Sequence, residues 1–240
     1  MIDVSNISKQ VSTSEGTLCI LDQINLSVKA GETLAIIGSS GSGKSTLLGI
    51  LAGLDTPSSG TVMIDGQDIT AMDEEGRAAV RAGHVGFVFQ SFHLLPGLTA
   101  LENVALPLEL QGVSDALKTA EHYLQRVGLA ARVTHYPRQL SGGQEQRVAI
   151  ARAIVTDPTL ILADEPTGDL DRESATNIMD LLKQLNTELG RTIVMVTHDP
   201  KTTAWCDTVL HLEKGRLAES DFAESSETKS HDEAISETAS

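Results

Sequence analysis

The sequence predicts an α/β fold built around a parallel sheet. Three observations carry that expectation. A continuous apolar run, Thr33–Ile37, leads into a glycine-rich loop and then a helix. A second unit alternates strand, helix and strand over Leu160–Ala163, Glu173–Leu189 and Thr192–Thr197; a crossover of that kind is parallel and right-handed. Between the two, from Ser91 to about Asp157, the apolar spacing turns helical.

The remaining elements follow in order. Residues 1–37 read as short strands, among them Cys19-Ile20-Leu21 and the alternating Ile24–Val28. Lys29-Ala30-Gly31-Glu32 is a turn. Thr33–Ile37 has the unbroken apolar character of a strand covered on both faces. Leu47, Leu48, Ile50 and Leu51 lie near helical spacing. Thr56–Gly60 is a turn, Thr61–Ile64 an edge strand and Asp65-Gly66 its turn. Val85–Gln90 reads as another buried strand. Ala116–Val127 and Gln144–Val155 carry helical periodicity, with Gly128 as a stop after the first. Val209–Leu212 and Gly215-Arg216-Leu217 suggest a terminal hairpin. Residues 1–217 then form one unit, with a core of about 1–90 and 158–217 and a helical subdomain of about 91–157. Residues 218–240 hold seven acids against one lysine, Lys229, and few apolar residues, so they read as a disordered acidic tail.

Composition bounds the function. A net charge of −15 over 240 residues argues against nucleic acid as the main ligand, because phosphate neutralisation needs a surplus of Lys and Arg. No apolar run approaches the roughly 20 residues of a membrane span. Met1-Ile2-Asp3-Val4 lacks the basic start of a signal peptide. Cys19 and Cys206 are too few for a disulfide framework and suit a reducing cytoplasm. Aromatic residues make up only 3% of the chain.

Gly38-Ser39-Ser40-Gly41-Ser42-Gly43-Lys44-Ser45-Thr46 matches the phosphate-binding loop pattern and sits between a buried strand and a helix, where that pattern belongs. Its glycines allow successive N–H groups to point at phosphate oxygens, and the following helix adds its positive end. Lys44 is expected to bridge the β- and γ-phosphates of ATP, and the Ser45 hydroxyl to hold Mg²⁺. Leu160–Ala163 ends in Asp164-Glu165, acids placed at a strand's C-terminal end. Asp164 is expected on Mg²⁺, and Glu165 on the attacking water. Leu140-Ser141-Gly142-Gly143-Gln144-Glu145-Gln146-Arg147 is a second helix start able to bind an anion. One nucleotide does not need two such cradles from one chain, so the second suits a nucleotide held by another subunit.

That second segment resembles the signature motif of ATP-binding cassette (ABC) ATPases, a branch of the P-loop NTPases, and the resemblance extends over nearly all of residues 1–217. Gln90 matches the family's Q-loop glutamine, Gly168-Asp169-Leu170-Asp171 its D-loop, and His198 its switch histidine. Met72–Glu75, His84–Phe92 and Ala100–Val104 resemble the MacB/LolD/FtsE class within it. The resemblance implies a RecA-like core with an N-terminal antiparallel β part and an inserted helical subdomain. It also implies a head-to-tail homodimer with two ATP molecules at the interface. The phosphate loop and Asp164/Glu165 of one chain would face Ser141, Gly143 and Gln144 of the other. Gln90 would touch Mg²⁺ or water, His198 the γ-phosphate and Glu165, and Asp171 the interface, besides capping a helix. The partner implied is a separate integral-membrane permease of the MacB/FtsX type. The chain would then sit in the cytoplasm against the inner face of the plasma membrane and power export, extraction or mechanotransmission. A weakly hydrolysing, ATP-dependent scaffold at the membrane and a soluble ABC ATPase are the alternatives. One departure stands out. The family's aromatic residue that stacks on adenine is expected just after Lys9-Gln10, where this chain has Val11, and no Phe, Tyr or Trp precedes Phe87. Nucleotide binding that depends on phosphate contacts and discriminates little between bases is the expected result.

Overall fold

The computed structural model describes residues 1–14 and 16–219. Its strands form two sheets. The antiparallel sheet contains β1 (Ile2–Thr13), β2 (Gly16–Val28), β4 (Ser59–Ile64) and β5 (Gln67–Asp68), in the order β2-β1-β4-β5. The second has the order β10-β9-β3-β8-β7-β6, from β3 (Thr33–Ile37), β6 (Val85–Val88), β7 (Leu160–Asp164), β8 (Thr192–Thr197), β9 (Thr208–Glu213) and β10 (Arg216–Glu219). Its strands run parallel except β10, which pairs antiparallel with β9. The helices are α1 (Lys44–Leu51), α2 (Glu74–His84), α3 (Ala100–Leu110), α4 (Ala116–Arg126), α5 (Gly142–Ile154) and α6 (Arg172–Leu189).

The unbroken apolar runs have a simple cause: two cores share the parallel sheet. Leu34, Ile36, Leu160, Leu162, Val194 and Val196 face a core with α1 and the antiparallel sheet. Ala35, Ile161, Ala163, Ile193 and Met195 face the other core, built with α3–α6. Successive side chains of a strand point to opposite faces, so a strand covered on both sides must be apolar throughout. α3, α4 and α5 bury Val104, Leu108, Leu124, Val148 and Ile150 against the second core, as the helical spacing of 91–157 requires.

Four expectations change. The N-terminal region forms two long strands of 12 and 13 residues, not several short ones. Their register slips near Asn6 and Gln23, both at φ 52; such bulges twist the ribbon and break up the alternation that a sequence reading uses. Ser59–Ile64 is not at the sheet edge, because Gln67–Asp68 pairs beside it. Val85–Val88 is the edge strand of the parallel sheet, with only alternate residues buried. Helix α2 was not anticipated, because Val80 is its one buried residue and gives no apolar periodicity. Its signals are local: Asp73 caps Gly76 N–H at 2.8 Å, acids occupy the first turn, and Arg81 and His84 lie in the last. The terminal hairpin is present and runs to Glu219, two residues into the expected tail. The rest of that tail, residues 220–240, lies outside the described residues.

Candidate active site

The site forms at the C-terminal ends of the parallel strands. Ile37, the last residue of β3, is level with Thr197 on β8, and Asp164 on β7 is level with Val196. The loop after β3, the acids after β7 and His198 after β8 therefore emerge together, which is where an open α/β sheet places its ligands.

The glycine-rich loop is tightly constrained. A Cβ at Gly38 would lie 2.2 Å from the Leu212 carbonyl oxygen, so no larger residue fits. Gly43, at φ 103, would place a Cβ 2.9 Å from the Ile20 carbonyl oxygen; left-handed backbone and lack of space both demand glycine here. The Ser42 hydroxyl is buried with no hydrogen-bond partner among the described residues. A buried polar atom of that kind needs a partner, and a phosphate oxygen supplies one. Lys44 is only 8% exposed. Its Nζ donates to the carbonyls of Gly38 at 2.9 Å and Ser39 at 3.1 Å and lies 4.0 Å from Glu165 Oε1. The ammonium is thus held at the mouth of the loop, ready for anionic oxygen.

The two acids are in different settings. Asp164 Oδ1 accepts from Ser45 Oγ at 3.2 Å. Burial pushes its carboxyl above the ordinary range and the Glu165 charge adds to that, while the Ser45 hydrogen bond and Lys44 pull the other way. Glu165, at φ 47, has left-handed backbone that costs a residue other than glycine about 1 kcal/mol or more. The strain is held in place on both sides: Glu165 N–H donates to the Val196 carbonyl at 2.9 Å, and Gly168 N–H to the Glu165 carbonyl at 3.0 Å. The Glu165 side chain is 11% exposed, and its Oε2 lies 2.9 Å from His198 Nδ1 and 3.2 Å from the His198 backbone nitrogen, which donates to it. His198 itself is 65% exposed, leaving its Nε2 edge accessible.

An open cleft of about 670 Å³ joins these groups. The loop residues Ser40, Gly41, Gly43, Lys44, Ser45 and Thr46 line it with Gln90, Glu165 and His198, and so do Leu18 and Ile20 from β2. Asp164 is reached through Ser45 rather than lining the cleft. Of this lining the sequence points to the loop, Gln90, Glu165 and His198 but not to Leu18 and Ile20. Their facing follows from strand register, which no residue pattern in this bulged ribbon reveals. Val11 pairs directly with Leu18 across β1 and β2, so the two side chains share a face. Trp205 packs against the helical core, with Lys183 Nζ 5.0 Å from its ring centre.

The other predicted residues are not in the cleft. Ser141 N-caps α5, and its backbone N–H donates to Gln144 Oε1 at 3.0 Å in a reciprocal capping box. Gly143 lies against Ser174: a Cβ there would sit 2.9 Å from Ser174 Oγ. Asp171 caps α6, accepting from Ser174 N–H at 2.9 Å, Ser174 Oγ at 2.7 Å and Glu173 N–H at 3.0 Å. Those hydrogen bonds hold its carboxyl below the ordinary range. The signature segment and the start of α6 therefore lie together, and neither lines the cleft at the phosphate loop. Two residues of α5 that the sequence does not single out also reach the site's segments: the fully buried Gln146 and the partly buried Arg152. Their only sequence signal was polarity inside an apolar helical stretch.

Comparison with known proteins agrees with this geometry. A family model described as ABC transporter matches residues 21–168. The chain is 53% identical over 221 residues to the ABC transporter ATP-binding protein YbbA of Escherichia coli (strain K12), covering 91% of this chain and 97% of that one. It is 49% identical over 218 residues to the lipoprotein-releasing system ATP-binding protein LolD of Bordetella pertussis, covering 90% and 94%. Among solved structures, the dimeric post-hydrolysis state of the ATP-binding cassette MJ0796, bound to ADP and Pi, superposes with a TM-score of 0.85 at 41% identity, covering 91% and 98%. CbiO1 of Clostridium perfringens, part of the transporter complex cbiONQ, superposes with a TM-score of 0.78 at 32% identity, covering 90% and 86%. The chain belongs to the ABC transporter ATP-binding family, in the class that YbbA and LolD share, and it is an ATP-binding and ATP-hydrolysing domain.

Proposed function

We propose that two copies of this chain close head to tail around two ATP molecules and that the closure drives a separate membrane permease of the MacB/FtsX type. No helix among the described residues is long and apolar enough to cross a membrane, so the membrane work is assigned to that partner, with this chain against the inner face of the plasma membrane. Supporting the dimer, the Ser141–Gln144 helix start does not line the chain's own cleft, and the MJ0796 cassette is dimeric.

The roles follow from the chemistry. Backbone N–H groups of Gly38–Thr46 and the Lys44 ammonium cradle the phosphates. Glu165 takes a proton from the attacking water or orients it, and His198 holds the Glu165 carboxylate while its free edge reaches the γ-phosphate. Ser141, Gly143 and Gln144 of the partner close the far side of each nucleotide, and Asp171 lies at the same interface. The donor set suits Mg²⁺: one hydroxyl, Ser45, hydrogen-bonded to one carboxylate, Asp164, with Gln90 on the same cleft. Magnesium is usually held by one or two carboxylates together with substrate phosphates, not by an all-protein cage. When bound, it supplies positive charge to the phosphate oxygens.

The observation that carries the reading is Glu165, nearly buried, strained and fixed by His198 within reach of the phosphate-binding lysine. Glu165→Gln keeps the shape and removes the base. It should bind ATP, accumulate as an ATP-bound dimer in size-exclusion chromatography, and lose about 10²- to 10⁴-fold in turnover. Hydrolysis at the wild-type rate would remove Glu165 from this role. Purification from detergent-solubilised membranes should bring down an integral-membrane permease; the chain recovered alone from such membranes would count against the partner.

A further inference from the structure

Gln146 is fully buried, at 0% exposure, on the inward side of α5. Its Nε2 donates to the Pro166 carbonyl at 2.7 Å. Its Oε1 has no partner among the described residues. A buried amide with one group unpaired is a poor way to stabilise a core, since an apolar side chain of the same volume would carry no such penalty. The hydrogen bond it does make falls on the carbonyl of Pro166, the residue that follows Glu165, the one acid of the site with left-handed backbone.

The same helix reaches a second strained segment. Arg152 donates to the carbonyls of His93 at 2.6 Å and Phe92 at 2.8 Å, and these residues, at φ 48 and 58, follow Gln90 closely. The N-terminus of α5 carries Ser141, Gly143 and Gln144. A single rigid helix therefore connects the surface offered to the partner's nucleotide with the segments holding Glu165 and Gln90.

We infer that Gln146 is a positioning residue for Glu165: its hydrogen bond to the Pro166 carbonyl anchors the turn next to the strained Glu165 backbone that aims the carboxylate, and it ties that aim to the placement of the signature helix. The inference rests on Glu165 acting as the base. No bond is made or broken by Gln146; its amide N–H only holds a carbonyl.

Gln146→Met keeps the volume and removes the donor. For the full-length chain, the turnover number should fall about 10- to 100-fold, as misplacement of a catalytic group by an ångström does, with KM for ATP within about twofold. The melting temperature should change little, because the orphaned Oε1 disappears as the Pro166 carbonyl loses its donor. Wild-type turnover in Gln146→Met would overturn the inference. A second variant decides the matter if Gln146→Met does not fold. In Gln146→Glu the side chain can donate only when protonated, so turnover relative to wild type should rise as pH falls. A ratio independent of pH would overturn the inference, because a packing role has no reason to follow a proton. Glu165→Gln, assayed alongside, separates the two readings. If Glu165→Gln is as active as wild type, the base assignment has failed. If it is inactive and Gln146→Met is normal, only the role of Gln146 has failed.

Discussion

Replacing Val11 by Tyr should tighten nucleotide binding without altering the fold. Val11 and Leu18 are cross-strand neighbours on one face, 38% and 55% exposed, and Leu18 lines the cleft. The strand pair thus presents an aliphatic platform where the family resemblance places the base. Covering the exposed part of Val11 gains about 0.6–1.2 kcal/mol, taking roughly 40% of the value for burying a whole aliphatic side chain. An aromatic ring stacked on a base gains about 1–3 kcal/mol. The difference, about 0.5–2 kcal/mol, corresponds to roughly 2- to 30-fold in affinity. Tyrosine suits an exposed strand position, so the β1–β2 ribbon should accept it. Isothermal titration with ATP and with GTP, on the Glu165→Gln background to prevent turnover, gives the comparison. With Val11 the two nucleotides should bind with similar affinity, and Val11→Tyr should tighten both. Strong preference for ATP at micromolar affinity in the Val11 protein would refute the aliphatic-platform argument. An unchanged affinity in Val11→Tyr would show that the base lies elsewhere.

Two further outcomes are expected. Asp164 has its carboxyl raised, so the folded, nucleotide-free protein holds that proton at a pH where the unfolded chain has released it. Its contribution to stability therefore falls as pH rises through the window between the ordinary and the raised value, and above that window the cost is complete. Asp164→Asn removes the cost: at neutral pH its nucleotide-free melting temperature should rise, while ATP hydrolysis is lost. A lower melting temperature would contradict the assignment. Asn103 is buried at 0% exposure, accepts from Leu95 N–H at 2.7 Å, and donates to the carbonyls of Leu95, Leu98 and Thr99 at 3.0–3.1 Å. Asn103→Leu strands those groups and should cost about 2–4 kcal/mol, read as a lower midpoint in urea with the nucleotide affinity of the folded protein unchanged.

How far the sequence could be read depended on whether each feature was local. The phosphate loop was legible because its chemistry is contiguous: Gly38 and Gly43 have no room for a Cβ, and Lys44 reaches carbonyls five and six residues behind it. The acids were legible because they end an apolar strand. The parallel strands showed as unbroken apolar runs because both faces are covered. Helix α2 was not legible, since it is held by a cap and surface charges with only Val80 buried. The length of β1 and β2 was hidden by register slips near Asn6 and Gln23.

The sequence by itself determined the α/β class, the phosphate cradle, the acid pair and the family, because each is carried by neighbouring residues whose spacing has a direct chemical meaning. Only the tertiary structure decided which distant groups meet. His198 reaches Glu165 across 33 positions, Ser45 reaches Asp164 across 119, and Gln146 on α5 reaches Pro166 in the turn after β7. The tertiary structure also set Leu18, rather than Val11, at the wall of the cleft and left the signature segment out of its lining. These pairings follow from strand order and register, which are set by how the two cores close on a shared sheet, and closure of that kind leaves no trace in local spacing.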